Sequence, residues 1–357
     1  MKVFSLISIS VWLYGVVSSF DSISTDIQFC KQLPKLECSH AHLNGSIPRH
    51  KFLELRAIAA EKHPELASEF LFDSHTIEHT ARFFGAFQND IYKVTDNPKA
   101  VTAATMSVLE SFEKDGCIYL ELRTTPRNCE SMDKAQYLDT VLKAIESYDQ
   151  SNMRVRLLVS VDWKHSTEEA LAIIELAQKE RGRGIVGIDV CGNPTLSGRY
   201  RELIPALRKA QEEYGLKVTV HFSEIEAQGP YLDHQLSELK PDRLGHATFL
   251  TDSAQQHVIT NKLPIEICIT SNVLGKTVKS VEEHHLRWAV KNGVPVLIST
   301  DDTLLFETTS ANEYQLALQI LGGDRALLLK QMKIGIEQTF GTDEDKAWMR
   351  RKMDAFE

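Results

Sequence analysis

The sequence predicts an α/β protein built as a closed (β/α)8 barrel of the TIM type, with a helical insertion between its first two strands. Three observations carry that prediction. Short apolar runs alternate with longer helix-patterned stretches along nearly the whole chain. Eight such runs can be counted, and each ends in polar residues. No G-x-G-x-x-G follows any of them, which disfavours the rival architecture, an open doubly wound sheet. A length of 357 residues is ordinary for one such barrel.

The first strand is "KLECSHAH", Lys35 to His42. Residues 50–99 carry helical patterns and are expected to lie over the barrel mouth. The helix pattern "AVTAATMSVLESFEKDG" stops at Gly116, and "CIYLELRTTP" follows as the second strand. "RVRLLVSVD", "GIVGIDVCG", "LKVTVHFSE", "RLGHATF", "PIEICITSN" and "PVLISTDD" complete the set. Helical crossovers such as "STEEALAIIELAQKE" and "YRELIPALRKAQEEYG" separate them. No repeat or proline-rich linker interrupts the series, so residues 21–357 are expected to form one domain.

Residues 1–20 stand apart. Lys2 precedes the apolar run "VFSLISISVWLYGVV", and Ser18 and Ser19 follow. Two readings stay open: a secretory signal peptide, or an upstream extension that does not function as one. The run is too short and serine-rich for a membrane span, and no other stretch is apolar enough, so no membrane role is expected. The net charge of −9 is evenly spread, which argues against a nucleic-acid polymer as partner but not against a single nucleotide. Six widely spaced cysteines without C-x-x-C read as free thiols of a reducing compartment. The expected location is therefore cytoplasmic, with a secreted form if the leader is a working signal.

In a barrel of this kind, chemistry gathers at the C-terminal ends of the strands. Those ends here carry His40 and His42, Arg123 to Arg127, Asp162, Gly192, His221 and Glu224, His246, Ser271 and Asn272, and Asp301 and Asp302. Polar groups collected at one rim of an apolar barrel cost several kcal/mol unless paired or metal-bound. His40 and His42 are two apart on a strand and face the same side. With His221 and a carboxylate from "STDD" they make a nitrogen-and-oxygen set that suits zinc, with room for a water. Each histidine alone is more simply a hydrogen-bonded core residue; their joint placement at strand ends favours the metal. Glu224 falls where it can lie beside the metal without binding it, as a proton donor or acceptor. His246 could orient or deprotonate the water.

Taken together, "PKLECSHAHLNGS", "HFSE", "GHATF", "TSN" and "STDD" occur in an order that resembles the adenosine deaminase family of zinc aminohydrolases, across nearly all the chain after the leader. The resemblance implies one Zn2+ held by His40, His42, His221 and Asp301. It implies Glu224 as proton donor, His246 positioning the attacking hydroxide, and Asp302 hydrogen-bonding the purine. "HLNG" with Asn44, "CGNP" from Cys191 to Pro194, and "LELRTTPR" are similar to the branch of the family that acts on N6-methyl-AMP. That branch implies a purine nucleotide as partner, touched by His42, Asn44, Tyr92, Thr124, Thr125, Pro126, Arg127, Asp162, Gly192, Glu224 and Asp302. Arg127 would take the phosphate, since a guanidinium binds it in a fork. A monomer is expected.

The chain departs from the family pattern in two places. "LECSHAH" holds one residue more than the family's usual spacing, which predicts a bulge at Cys38–Ser39. Tyr92 stands where the branch often has a substrate-binding histidine. Three rival readings remain: the same reaction on adenosine, a non-catalytic secreted binding protein, and a two-metal hydrolase, for which "GIVGIDV" supplies no bridging lysine.

Overall fold

The computed structural model describes residues 25–68, 70 and 80–356, so the leader expected at residues 1–20 lies outside the described residues. Eight strands hydrogen-bond in chain order into one parallel sheet. They are β1 (Lys35–His42), β2 (Cys117–Thr124), β3 (Arg154–Asp162), β4 (Ile185–Cys191), β5 (Lys217–Phe222), β6 (Arg243–His246), β7 (Ile265–Ile267) and β8 (Val296–Ile298). Every residue of β2 is buried, as expected for strands covered by helices outside and by one another inside. The cylinder closes just beyond β8. Asp301 N donates to His40 O (2.7 Å) and His42 N donates to Asp301 O (3.2 Å), a parallel bridge opposite Ala41.

The extra residue in β1 is absorbed where a bulge was expected. Register shifts lie on both sides of Leu36–Glu37, the second between Glu37 and Ala41. From the pair Lys35–Cys117 to the pair His42–Arg123, β1 takes seven steps and β2 six, a net excess of one residue. His40 and His42 remain two apart beyond the irregularity.

Between β1 and β2 lie α1 (Arg49–Ala59), α2 (Thr80–Ala86) with a wide turn through Phe87–Ile91, and α3 (Pro98–Lys114). Asn97 caps α3 by accepting from Ala100 N. Asp115 ends the helix, and Gly116, at φ +82°, turns the chain into β2. The later crossovers α4 (Lys134–Ser147) and α5 (Thr167–Lys179) each open with a side-chain capping box. The stretch "YRELIPALRKAQEEYG" is not one helix: a 3-10 turn ends at Glu202, α6 spans Ile204–Arg208 and a wide turn follows. Pro205, which cannot donate its own N–H, stands at that break. Among the described residues no helix is long and apolar enough to cross a membrane.

Several strands end earlier than their apolar-to-polar runs suggest. Backbone φ turns positive at Ser223 (55°), His246 (60°), Ala247 (53°) and Asp301 (63°), a conformation that non-glycine residues rarely hold. At those points the chain leaves the ladder and turns over the mouth.

Candidate active site

The residues at the mouth divide into a floor and a wall. On the floor, His42 Nε2 and His221 Nε2 face each other at 3.1 Å. Asp301 Oδ1 lies 3.7 Å from His42 Nε2 and 3.8 Å from His40 Nε2. The His40, His42 and His221 nitrogens lie within 4.8 Å of one another. Ligands at zinc–nitrogen bond lengths of 2.0–2.1 Å stand about 3.3 Å apart along a tetrahedral edge, so these spacings match a metal cradle. His40 Nε2 is buried without a hydrogen-bond partner among the described residues, the open lone pair such a cradle needs. His246 and Cys268 also fall within ligand range of His40 and Asp301.

Beneath the floor the barrel interior is charged rather than oily. His40 Nδ1 donates to Glu266 Oε2 (2.8 Å), and His221 Nδ1 donates to Val190 O (2.9 Å) with Asp189 Oδ1 at 3.2 Å. Burial and the nearby Arg123 charge hold His40 well below the usual imidazole range, so it is neutral. In His221 burial works the same way, but Asp189 outweighs it and pushes the imidazole up to about 9. Glu121, Asp189 and Glu266 are ion-paired there with Arg123 and Arg243. The donor set of three imidazoles and a carboxylate fits a divalent metal.

Above the floor stand the groups able to move protons. Burial raises Glu224 to about 7, with His221 opposing and the charges of Asp301 and Asp189 assisting, and its Oε1 has no partner among the described residues. His246 Nε2 lies 3.9 Å from both Glu224 Oε2 and Asp301 Oδ2. Its backbone carbonyl accepts from His285 Nε2 at 2.7 Å. Asp302 is pushed well above the carboxylate range by burial and by Asp301, so it can donate a proton into the pocket. Gly45 makes room for it: a Cβ there would sit 1.6 Å from Asp302 Oδ1.

The wall surrounds a cavity of about 220 Å³, far more than an ion needs. Of the sequence-predicted residues, His42, Tyr92, Thr125, Asp162, Gly192, His221, Glu224, His246, Asp301 and Asp302 line it. Gly192, at φ +105°, lets the backbone pass Asp162, whose Oδ1 would lie 2.4 Å from an added Cβ. Asn44, Thr124, Pro126 and Arg127 are not brought to the wall. Their hydrogen bonds explain three of the four. Asn44 Nδ2 and Thr124 Oγ1 both meet Tyr137 Oη (3.0 and 2.8 Å), while Thr95 Oγ1 donates to Asn44 Oδ1 (3.1 Å). Arg127 is sandwiched between the Tyr92 and Tyr137 rings, at 4.6 and 4.5 Å, and donates through Nη2 to Thr95 O (2.7 Å). Its Nη1 is buried without a partner among the described residues.

Sequence reasoning missed Asp189 and Glu266, which stand behind two of the histidines, and the aromatic wall of Phe83, Phe84 and Phe87. It also missed Lys164, among the described residues the only lysine or arginine on the wall. The signal available for Asp189 and Glu266 was a single acid inside each apolar run, "GIDVC" and "PIEIC", where a buried strand would not carry one unpaired.

Comparison with known proteins points the same way as the floor geometry. An N6-methyl-AMP deaminase of Danio rerio is 35% identical over 350 residues, covering 91% of this chain and 97% of that protein. The crystal structure of an Arabidopsis N6-mAMP deaminase is 34% identical and superposes with a TM-score of 0.86, covering 92% of this chain and 99% of its own. An Arabidopsis protein named ADAL, solved in complex with IMP, is 33% identical with a TM-score of 0.83 over 92% and 98% of the two chains. The adenosine deaminase family model matches residues 34–356. With nearly the whole barrel matched, the chain belongs to the adenosine deaminase family.

Proposed function

We propose that this protein is a zinc-dependent hydrolytic deaminase of 6-aminopurine nucleotides that converts N6-methyl-AMP and water to IMP and methylamine. The observation that carries the reading is the convergence of three imidazole nitrogens and Asp301 at the foot of a cavity, with Glu224 beside them at about 7. His40, His42, His221 and Asp301 would hold the zinc, whose Lewis acidity brings the pKa of a water toward neutrality. Glu224 donates a proton to N1 of the purine, making C6 electrophilic. His246, neutral because burial holds it well below the usual imidazole range, can take a proton from the incoming water. Asp302 hydrogen-bonds the ring and fixes its angle. A C6–O bond forms, the proton held by His246 passes to the departing nitrogen, the C6–N bond breaks to release methylamine, and the proton of the new C6–OH returns to Glu224. The protein is read as a monomer of the cytoplasm, secreted only if the leader functions.

A second reading, the same reaction on adenosine, is favoured by one observation: Arg127, the expected phosphate group partner, sits behind Tyr92 rather than on the wall. Against it, the unpartnered Nη1 of Arg127 and the amine of Lys164 are both cations near the same region. Incubation of the zinc-loaded protein with N6-methyl-AMP, AMP and adenosine, followed by the change in purine absorbance, separates the two. IMP formation from the nucleotides supports the proposal; turnover of adenosine alone replaces it. A metal-free, inert protein by elemental analysis would favour the binding-protein alternative.

A further inference from the structure

His40 on β1 is hydrogen-bonded from behind by Glu266 on β7, and His221 on β5, whose Nδ1 donates to Val190 O, has the Asp189 carboxylate of β4 beside that same nitrogen. A third group joins those two supports. Arg123, on β2, donates through Nη2 to Glu266 Oε2 (3.0 Å) and through Nη1 to Asp189 Oδ1 (2.9 Å). These are the same two oxygen atoms that meet the imidazoles: His40 Nδ1 is 2.8 Å from Glu266 Oε2, and His221 Nδ1 is 3.2 Å from Asp189 Oδ1. Arg123, Asp189 and Glu266 have no solvent exposure at all. The other carboxylate oxygens are also held, Glu266 Oε1 by Thr219 Oγ1 (2.7 Å) and Arg243 Nε (2.9 Å), Asp189 Oδ2 by Ser160 Oγ (2.8 Å). Neither acid can rotate without breaking its bond to the guanidinium.

We propose that Arg123 is a positioning residue, a single planar fork that ties the supports of His40 and His221 together so that the two imidazoles present Nε2 to the metal as one unit. The inference rests on reading those histidines as metal ligands. A guanidinium suits the task because its two terminal nitrogens have fixed spacing and direction, whereas an ammonium would balance the charge without fixing the geometry. Supports of this kind contribute about ten- to a hundredfold to metal affinity. What the fork adds is coupling: loosening one carboxylate should already release part of the other.

The test is a double-mutant cycle read in zinc affinity by chelator competition, with no substrate present. Glu266→Gln and Asp189→Asn should each weaken zinc binding by about ten- to a hundredfold. The double variant should fall short of the product of the two losses by about threefold or more. Arg123→Lys, which keeps the charge, should abolish that shortfall and change the visible spectrum of the cobalt-substituted protein. Circular dichroism of the metal-free forms checks folding, and if Arg123→Lys does not fold, the cycle on the two acids decides alone. Losses that multiply without coupling would overturn the proposal, as would affinities within twofold of wild type or a protein that takes up no zinc. Because no turnover is measured, a failed deaminase assay and a failed cycle are separate results.

Discussion

The floor and the wall of the pocket are built on opposite physical terms. On the floor, His40 is fully buried, and its partners Glu266 and Arg123 are too. His40 and His221 each have a fixed partner on Nδ1 and direct Nε2 toward the other floor residues. On the wall, Thr125, Asp162, Phe83 and Tyr92 are only partly buried, and Lys164 is 57% exposed. Its aromatic surface comes from the inserted segment rather than from the barrel. The contrast teaches a division of labour. Chemistry that tolerates little misplacement sits on strands tied into a buried ionic group, and recognition sits on side chains free to adjust.

The largest break in that contrast should come from the floor itself. Replacing His221 with Ala, or Asp301 with Asn, removes a proposed ligand; zinc content should fall toward zero and kcat/KM by at least about a thousandfold. Glu224→Gln should leave zinc in place yet lower kcat by about 10²–10⁴-fold, separating proton delivery from metal binding. The sign of its pH dependence follows from burial. Glu224, raised to about 7, is protonated and competent below that pH and loses its proton above it. Turnover in the wild type should therefore decline on the alkaline side of about 7. A flat profile from pH 6 to 9 would remove Glu224 as the donor.

On the wall and just behind it the effects should be smaller and selective. Arg127→Ala should raise KM for N6-methyl-AMP by about ten- to a hundredfold, the range for a charge-assisted hydrogen bond, and leave adenosine unaffected. Equal losses on both would take the phosphate away from Arg127. Smallest is Gly192→Ala, which crowds Asp162 and forces a side chain into φ +105°. A loss of about 1–2 kcal/mol in stability and a few-fold rise in KM, with zinc content unchanged, are expected from thermal melts and steady-state kinetics.

The same division governs how much could be read in the sequence. Floor residues announce themselves because a strand shows alternate residues on one face, so His40 and His42 imply a shared direction before any coordinates exist. The eight-strand pattern was equally legible, since apolar runs mark buried parallel strands. Glu266 and Asp189 were not, because one acid within an apolar run carries no spacing that names its partner. Their partners, Arg123 and the histidines, come from strands up to 226 positions away, as for His40 and Glu266. Asn44, Thr124 and Arg127 illustrate the opposite difficulty. The family resemblance implied contact with a ligand, yet hydrogen bonds from all three go to Tyr137 or Thr95.

The bridge that shuts the cylinder has a consequence for biosynthesis. Asp301 closes the seam through its own N–H and carbonyl, against His40 and His42, and the same residue turns its carboxylate toward them. The four-ligand set proposed above is therefore complete only once residue 301 has left the ribosome and docked on a strand made early in synthesis. Closing the ring and supplying the carboxylate of that set are one and the same event.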